Sequence, residues 1–262
     1  MTSIYQVDAF TDEPFKGNPA GVCILEQAAN EEWMQTVARE MNLSETAFLY
    51  PDGKGYNLRW FAPDTEVDLC GHATLASAHI LWEKDFADKK DVLEFHTKSG
   101  TLTASLKDGW IELDFPALLE EESEIPEGLS EALGIEPVYV GRSVFDYIIE
   151  VCSEEELRAI DPDLTRLSTI TTRGFSVTAL SSSDEYDFVS RLFAPAIGIP
   201  EDPVTGSAHC CLGPYWMKKL GKNSFTAYQA STRGGVVRVQ VKRDRVLLSG
   251  KAVTVIEGKI LF

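Results

Sequence analysis

Positive charge is scarce in this chain. Its 262 residues hold 24 Lys and Arg against 41 Asp and Glu, a formal net charge of −17 with a pI near 4.6. Surfaces that bind nucleic acid or anionic membranes need clustered cations, so neither partner is expected. No apolar run approaches the roughly eighteen residues a bilayer-spanning helix needs. After Met1-Thr2-Ser3 the chain enters a strand-like run with no charged n-region or apolar h-region, and a cytoplasmic protein is expected. The five cysteines, Cys23, Cys70, Cys152, Cys210 and Cys211, are odd in number and scattered, which suggests reduced thiols rather than a disulfide framework. Neither a Cys-x-x-Cys pair nor a close His pair occurs, so no metal site is expected. Dinucleotide and phosphate-loop glycine motifs are also missing, since Gly53-Lys54-Gly55 lacks a third glycine, and no cofactor is expected.

What the chain does have is an internal echo. Arg59-Trp60-Phe61-Ala62-Pro63 leads through Asp64-Thr65-Glu66-Val67-Asp68-Leu69 to Cys70-Gly71-His72-Ala73-Thr74. Arg191-Leu192-Phe193-Ala194-Pro195 leads to Glu201-Asp202-Pro203-Val204-Thr205-Gly206-Ser207-Ala208-His209. The two pentads lie 132 residues apart (191 − 59), about half the chain, and each precedes a small-residue turn and a largely apolar helix. A repeat with shared context implies two similar halves, with a site where the paired turn-helix elements face each other. The acidic, proline-bearing stretch from Phe115 to Pro126 reads as a solvated link. It divides the chain into 1–117 and 118–262.

Ile4–Phe10 and Ala20–Leu25 read as strands around a turn-rich loop ending Gly17-Asn18-Pro19, where the Asn18 amide is a candidate carboxylate binder. Asn30 caps a helix whose stripe is Trp33, Met34, Val37, Ala38 and Met41. Glu45 follows at a helix-to-strand junction among small and apolar residues, where desolvation would raise its pKa toward the range useful for proton transfer. The same junction in the second half, Gly174–Ala179, has no acid. From Ala73 to Trp82 there is no charged face, so the helix is expected to be enclosed, with its N-terminus at Gly71-His72 as an anion site. In the second helix Gly213 and Pro214 are expected to bend or shorten the run.

Many short strands and one enclosed helix per half predict an α+β fold of two similar halves, each a sheet curled around a helix. The titratable groups that such a site would use are Glu45 and Asp202. His72, at the first turn beside the anion site, is a stronger catalytic candidate than a generic histidine. His79 and His96 read as structural, and His209 stays outside the catalytic set. Cys70, just before a helix N-terminus, is a possible acid or base. A two-thiol racemase needs a second cysteine at Thr205, and none is there.

Asp8-Ala9-Phe10 with Gly17-Asn18-Pro19-Ala20, Ser44-Glu45-Thr46-Ala47-Phe48, Cys70-Gly71-His72-Ala73-Thr74 and Glu201–His209 resemble, in order, the motifs of the PhzF-like isomerase family of phenazine biosynthesis. The resemblance implies the diaminopimelate epimerase-like α+β fold, two pseudo-symmetric halves each a mainly antiparallel β-barrel wrapped around a central helix, together with a homodimer and a cofactor-independent isomerase acting on a small anionic carboxylate. It assigns proton transfer to Glu45, assistance to His72 and Asp202, and carboxylate binding to Gly71 and Gly206-Ser207. Asn18, Ser44 and Ala73, inside the matched motifs, join the binding set. Cys70 departs from the pattern and keeps open an epimerase of an amino or hydroxy acid that pairs Cys70 with a carboxylate. A catalytically silent binding protein of the same fold is the third reading.

Overall fold

The computed structural model describes residues 1–261. In chain order the elements are β1 (Thr2–Ala9), β2 (Asn18–Ile24), α1 (Glu31–Met41), β3 (Glu45–Asp52), β4 (Gly55–Phe61), β5 (Glu66–Val67), α2 (Gly71–Glu83), β6 (Leu93–Thr97), β7 (Gly100–Lys107) and β8 (Trp110–Pro116). Then come β9 (Glu121–Glu122), α3 (Leu129–Leu133), β10 (Tyr139–Arg142), β11 (Asp146–Glu150), α4 (Glu154–Ala159), α5 (Leu164–Leu167), β12 (Gly174–Leu180), β13 (Phe188–Ala194), β14 (Ile199–Asp202), α6 (Gly206–Leu220), β15 (Ser224–Gln229), β16 (Gly235–Lys242), β17 (Arg245–Gly250) and β18 (Ala252–Ile260). No helix among the described residues is long and apolar enough to cross a membrane.

The chain forms two compact units, Met1–Asp114 with the segment from Ser249 onward, and Phe115–Leu248. The final strand, which the sequence reading put with the second half, thus returns to the first. There β18 pairs antiparallel along β1, from Thr2↔Ile260 to Ala9↔Ala252. The expected solvated link likewise belongs to the second unit. Glu120 is buried and pairs with Lys218, and the Leu118 N–H donates to the Cys210 carbonyl at 3.0 Å. Proline and glutamate content alone hid those docked groups.

Within each unit the strands follow one plan. In the first, β1–β2, β3–β4 and β6–β7 are antiparallel pairs joined by the parallel pairs β2–β3 and β4–β6. In the second, β10–β11, β12–β13 and β15–β16 are antiparallel, joined by the parallel β11–β12 and β13–β15. The alternation confirms the repeat, and the parallel joins make each sheet mixed rather than purely antiparallel.

Each sheet curls over one buried helix. α2 packs on β1, β2, β3 and β18, and α6 on β15 and β16. α2 is tolerable as a wholly enclosed helix because its hydroxyls are satisfied internally: Thr74 Oγ1 donates to the Cys70 carbonyl at 2.6 Å and Ser77 Oγ to the Ala73 carbonyl at 2.7 Å. α6 runs its full fifteen residues through Gly213 and Pro214, so the expected shortening does not occur. Pro214 leaves the Cys210 carbonyl without its helical donor, and the Leu118 N–H takes that place. Gly213 is needed for closeness, since a Cβ there would stand 2.7 Å from Val239 Cγ1 on β16.

α1 is built as its sequence suggested. The Asn30 side chain accepts from the Glu32 and Trp33 N–H groups at 2.8 and 3.3 Å, and Asn42 ends the helix in the left-handed region. Met34, Val37 and Ala38 pack with Phe48 and Phe61, with Trp33 and Met41 at the margin. This packing fixes where the chain emerges at Ser44-Glu45.

Candidate active site

Glu45 is the first residue of β3, placed by the parallel register Ala20↔Glu45 against β2. Its side chain is 15% exposed, and Oε2 is buried without a hydrogen-bond partner. His72 Nε2, from the first turn of α2, lies 3.3 Å from that oxygen, within ion-pair distance but misaligned for a hydrogen bond. Burial pushes the Glu45 carboxyl above the usual range, and hydrogen bonds from Ser44 and Cys70 pull back part of that rise.

The neighbouring groups extend this into a line. Ser44 Oγ is 3.4 Å from His72 Nε2 and donates to Asn18 Oδ1 at 3.5 Å. Cys70 Sγ is 3.5 Å from His72 Nδ1, on the other edge of the ring. Asn18 is fully buried at the start of β2, behind the loop that closes at Gly17. Gly17 has φ +62°, and a Cβ would run into the carbonyl oxygen of Ala9. α2 begins without a side-chain cap from Cys70, and a helix N-terminus of this kind favours an anion.

Glu45, Cys70 and His72 bring a carboxylate oxygen, a sulfur and a ring nitrogen within 4.8 Å of one another, the donor types of a zinc site. The thiol and the carboxylate, however, meet opposite nitrogens of the imidazole. The arrangement also suits a proton relay, because a neutral imidazole accepts at one nitrogen while donating from the other.

In the second unit Asp202 closes β14. Its carboxylate accepts a short hydrogen bond from Thr205 Oγ1. Gln229 locks this turn: its Oε1 accepts from the Thr205 N–H at 2.8 Å, and its Nε2 donates to the Asp202 carbonyl at 2.7 Å and to Thr205 Oγ1 at 3.2 Å. Gly206 and Ser207 open α6, which also lacks a side-chain cap. His209, the intermediate candidate, is fully buried. Its Nδ1 lies 2.8 Å from the Thr205 carbonyl, and burial lowers its pKa to about 4, so it acts as a neutral structural ring. His79 Nε2 lies 3.1 Å from Thr254 Oγ1, and His96 Nδ1 3.0 Å from Asp52. Cys210 and Cys211 are buried, and desolvation pushes both thiols up to about 12.

The repeat allows one half to be subtracted from the other. Thr46↔Phe61 on β3–β4 matches Phe175↔Phe193 on β12–β13, so Glu45 corresponds to Gly174 and Ser44 to Arg173. Trp60↔Val67 matches Leu192↔Asp202, so Asp202 corresponds to Val67. What both halves keep is a brace. Arg59 Nε donates to Glu66 Oε1 at 2.7 Å, and Arg191 Nε to Glu201 Oε1 at 2.7 Å, with each guanidinium over the ring of the Phe two residues on. The repeated Arg-x-Phe therefore holds the hairpin that carries the turn. Glu45 and Asp202 are thus acids that the matched positions of the other half, Gly174 and Val67, do not carry.

The sequence reading missed Gln229, Arg173 and Asp146. Arg173 clamps Asp146 through Nε to Oδ1 at 2.8 Å, with a second short bond to Oδ2, and donates to Ser207 Oγ at 3.1 Å. The only signal available was the correspondence of Arg173 with Ser44, which needs the strand register.

Residues 7–258 match the family model described as phenazine biosynthesis-like protein, PhzC-PhzF. The chain belongs to this family. An uncharacterized isomerase of Halalkalibacterium halodurans is 59% identical over 99% of this chain and 98% of its own. The crystal structure of a PhzF-family phenazine biosynthesis protein from Enterococcus faecalis superposes with a TM-score of 0.95 at 42% identity, covering 100% of this chain and 99% of that one. A probable proline racemase from Agrobacterium radiobacter K84 shares the fold alone, with a TM-score of 0.65 at 10% identity over 99% and 93% of the two chains. PhzF-family membership and the racemase likeness agree with the two halves expected from the repeat and with the epimerase-like fold implied by the resemblance.

Proposed function

We propose that this isomerase moves a proton between two carbons of a small carboxylic acid, shifting a double bond without a cofactor. The observation that carries the reading is the desolvated Glu45 carboxylate, held 3.3 Å from His72 beside the uncapped start of α2. A carboxylate so placed is a stronger base than one in water, and its conjugate acid can return the proton near neutrality. Glu45 takes the hydrogen from carbon, the electron pair stays on the substrate as an extended enolate, and a proton returns to a different carbon. Substrate and product are isomers, so the step balances with no other reactant. His72 and Asp202 act as further proton donors. Asn18, Ser44, and the N–H groups of Gly71, Ala73, Gly206 and Ser207 bind the carboxylate.

The test is incorporation of solvent deuterium into a panel of cyclic unsaturated acids, cyclohex-2-ene-1-carboxylate among them, followed by NMR. Wild type should incorporate label with migration of the double bond, and Glu45→Gln should lower incorporation by about 10²–10⁴-fold. Exchange at the wild-type rate in that variant removes Glu45 from the mechanism.

The Cys70 thiol, 3.5 Å from His72 Nδ1, favours one second reading, epimerisation of an amino or hydroxy acid with Cys70 and Glu45 as the two proton carriers. It requires label at a single stereocentre with no migration of unsaturation. The homodimer implied by the family likeness is checked by light scattering of the purified protein.

A further inference from the structure

Arg173 precedes β12 where Ser44 precedes β3, and the chemistry proposed above gives it no direct role. Its surroundings are nonetheless built. Asp146, 4% exposed at the side chain, takes both arms of the guanidinium, and the ring of Phe145 lies 4.8 Å below it. The register Asp146↔Gly174 brings that aspartate beside β12, and Ala20 stands at the corresponding place in the first unit. The arginine–aspartate pair is therefore particular to the second half, as Ser44 and Glu45 are to the first.

The third bond of the guanidinium is the informative one. A hydroxyl has one hydrogen and two lone pairs, and an arginine can only donate. When Arg173 donates to Ser207 Oγ at 3.1 Å, it occupies a lone pair and turns the hydroxyl hydrogen away from itself. Ser207 thus presents a donor, in the same turn as the backbone N–H groups that open α6, where the N-cap residue gives no side-chain cap. A row of donors matches a carboxylate and disfavours a neutral amide, whose N–H₂ would meet hydrogen with hydrogen. Asp146 neutralises most of the arginine's charge, so orientation rather than long-range attraction is the expected contribution.

We propose that Arg173, anchored by Asp146, is a positioning residue that fixes Ser207 as a hydrogen-bond donor to the substrate carboxylate. This rests on the functional reading above, in which Ser207 binds that group. The variant that isolates the effect is Arg173→Lys, which keeps the charge and an ion pair with Asp146 but cannot fork to Asp146 and Ser207 together. Arg173→Met would strand a buried aspartate and is the less useful change, because it can fail to fold.

Binding of benzoate, with benzamide as the neutral control, is measured by ligand-observed NMR on the full chain. Arg173→Lys should weaken benzoate about 3- to 10-fold and leave benzamide unchanged, and Ser207→Ala should weaken benzoate about tenfold or more. In the Ser207→Ala background, Arg173→Lys should have no further effect, because the two act through one hydroxyl. Equal losses in both backgrounds, unchanged affinity in Arg173→Lys, or no benzoate affinity in wild type would each overturn the proposal. Glu45→Gln separates the two ideas: it should lower deuterium exchange about 10²–10⁴-fold while benzoate binding stays, so a failure of the Glu45 chemistry leaves the Arg173–Ser207 measurement readable.

Discussion

Replacing Glu45 by Gln should make the protein more stable and inactive at once, and the pH dependence of the gain is the decisive part. The carboxylate sits with one oxygen buried and unbonded, and such an orphaned acceptor costs about 1–3 kcal/mol. Glutamine keeps the shape and removes the charge. Since about 1 kcal/mol moves the midpoint of a domain of this size class by roughly 2–4 °C, the variant should melt about 2–12 °C higher at neutral pH. The sign follows from linkage. The folded-state pKa of Glu45 is raised, so the folded form holds its proton more tightly than the unfolded chain. Wild type therefore loses stability as pH rises from the ordinary carboxylate range to the raised pKa, and Glu45→Gln is spared that loss. The difference between the two proteins should be small below the ordinary carboxylate pKa and full above the raised one. Calorimetry of both proteins at matched pH values, with the midpoint difference plotted against pH, measures it. A variant that melts lower at neutral pH, or a difference that ignores pH, would show that Glu45 is not strained by burial and would remove the physical basis for its basicity.

Other changes probe neighbouring claims. Asp202→Asn should leave the melting temperature within about 2–4 °C of wild type, a change of about 1 kcal/mol, and reduce deuterium return about 10²-fold or more; full activity would exclude it as a proton donor. Cys70→Ala should alter the exchange rate less than tenfold under the isomerase mechanism, and a loss of about 10²–10⁴-fold would favour the epimerase mechanism instead. Gly17→Ala forces a left-handed φ on a residue with a Cβ and presses it against the Ala9 carbonyl, so a loss above about 2 kcal/mol is expected in denaturant titration. In wild type the exchange rate should rise with pH through the raised Glu45 pKa and level off above it, as a base that must be ionised requires.

Much of this was legible in the sequence because it depends on local patterns. The Asn30 cap, the stripe of α1 and the uncharged run of α2 each follow from spacing and side-chain chemistry. The Arg-x-Phe-Ala-Pro echo disclosed the duplication before any coordinates. Pairings across long separations were not legible. Nothing near Ala252 says that β18 belongs with β1, and nothing near Leu118 says that its N–H replaces the donor Pro214 lacks. Arg173 escaped notice for the same reason: its partners Asp146 and Ser207 are 27 and 34 residues away. The Arg59 and Arg191 pentads revealed the repeat, and their guanidinium groups are spent on Glu66 and Glu201. Repetition pointed to the scaffold, and the places where repetition fails, Glu45 and Asp202, are those proposed for the chemistry.

The return of β18 to β1 carries a consequence for synthesis. The second unit is an insertion, so all of its strands leave the ribosome before the first unit has its closing edge. While translation proceeds, β1 waits with one row of amide and carbonyl groups unanswered, an edge open to mispairing. A chain ended at Lys251 and released should thus yield a protein in which 115–248 resists protease and 1–114 does not.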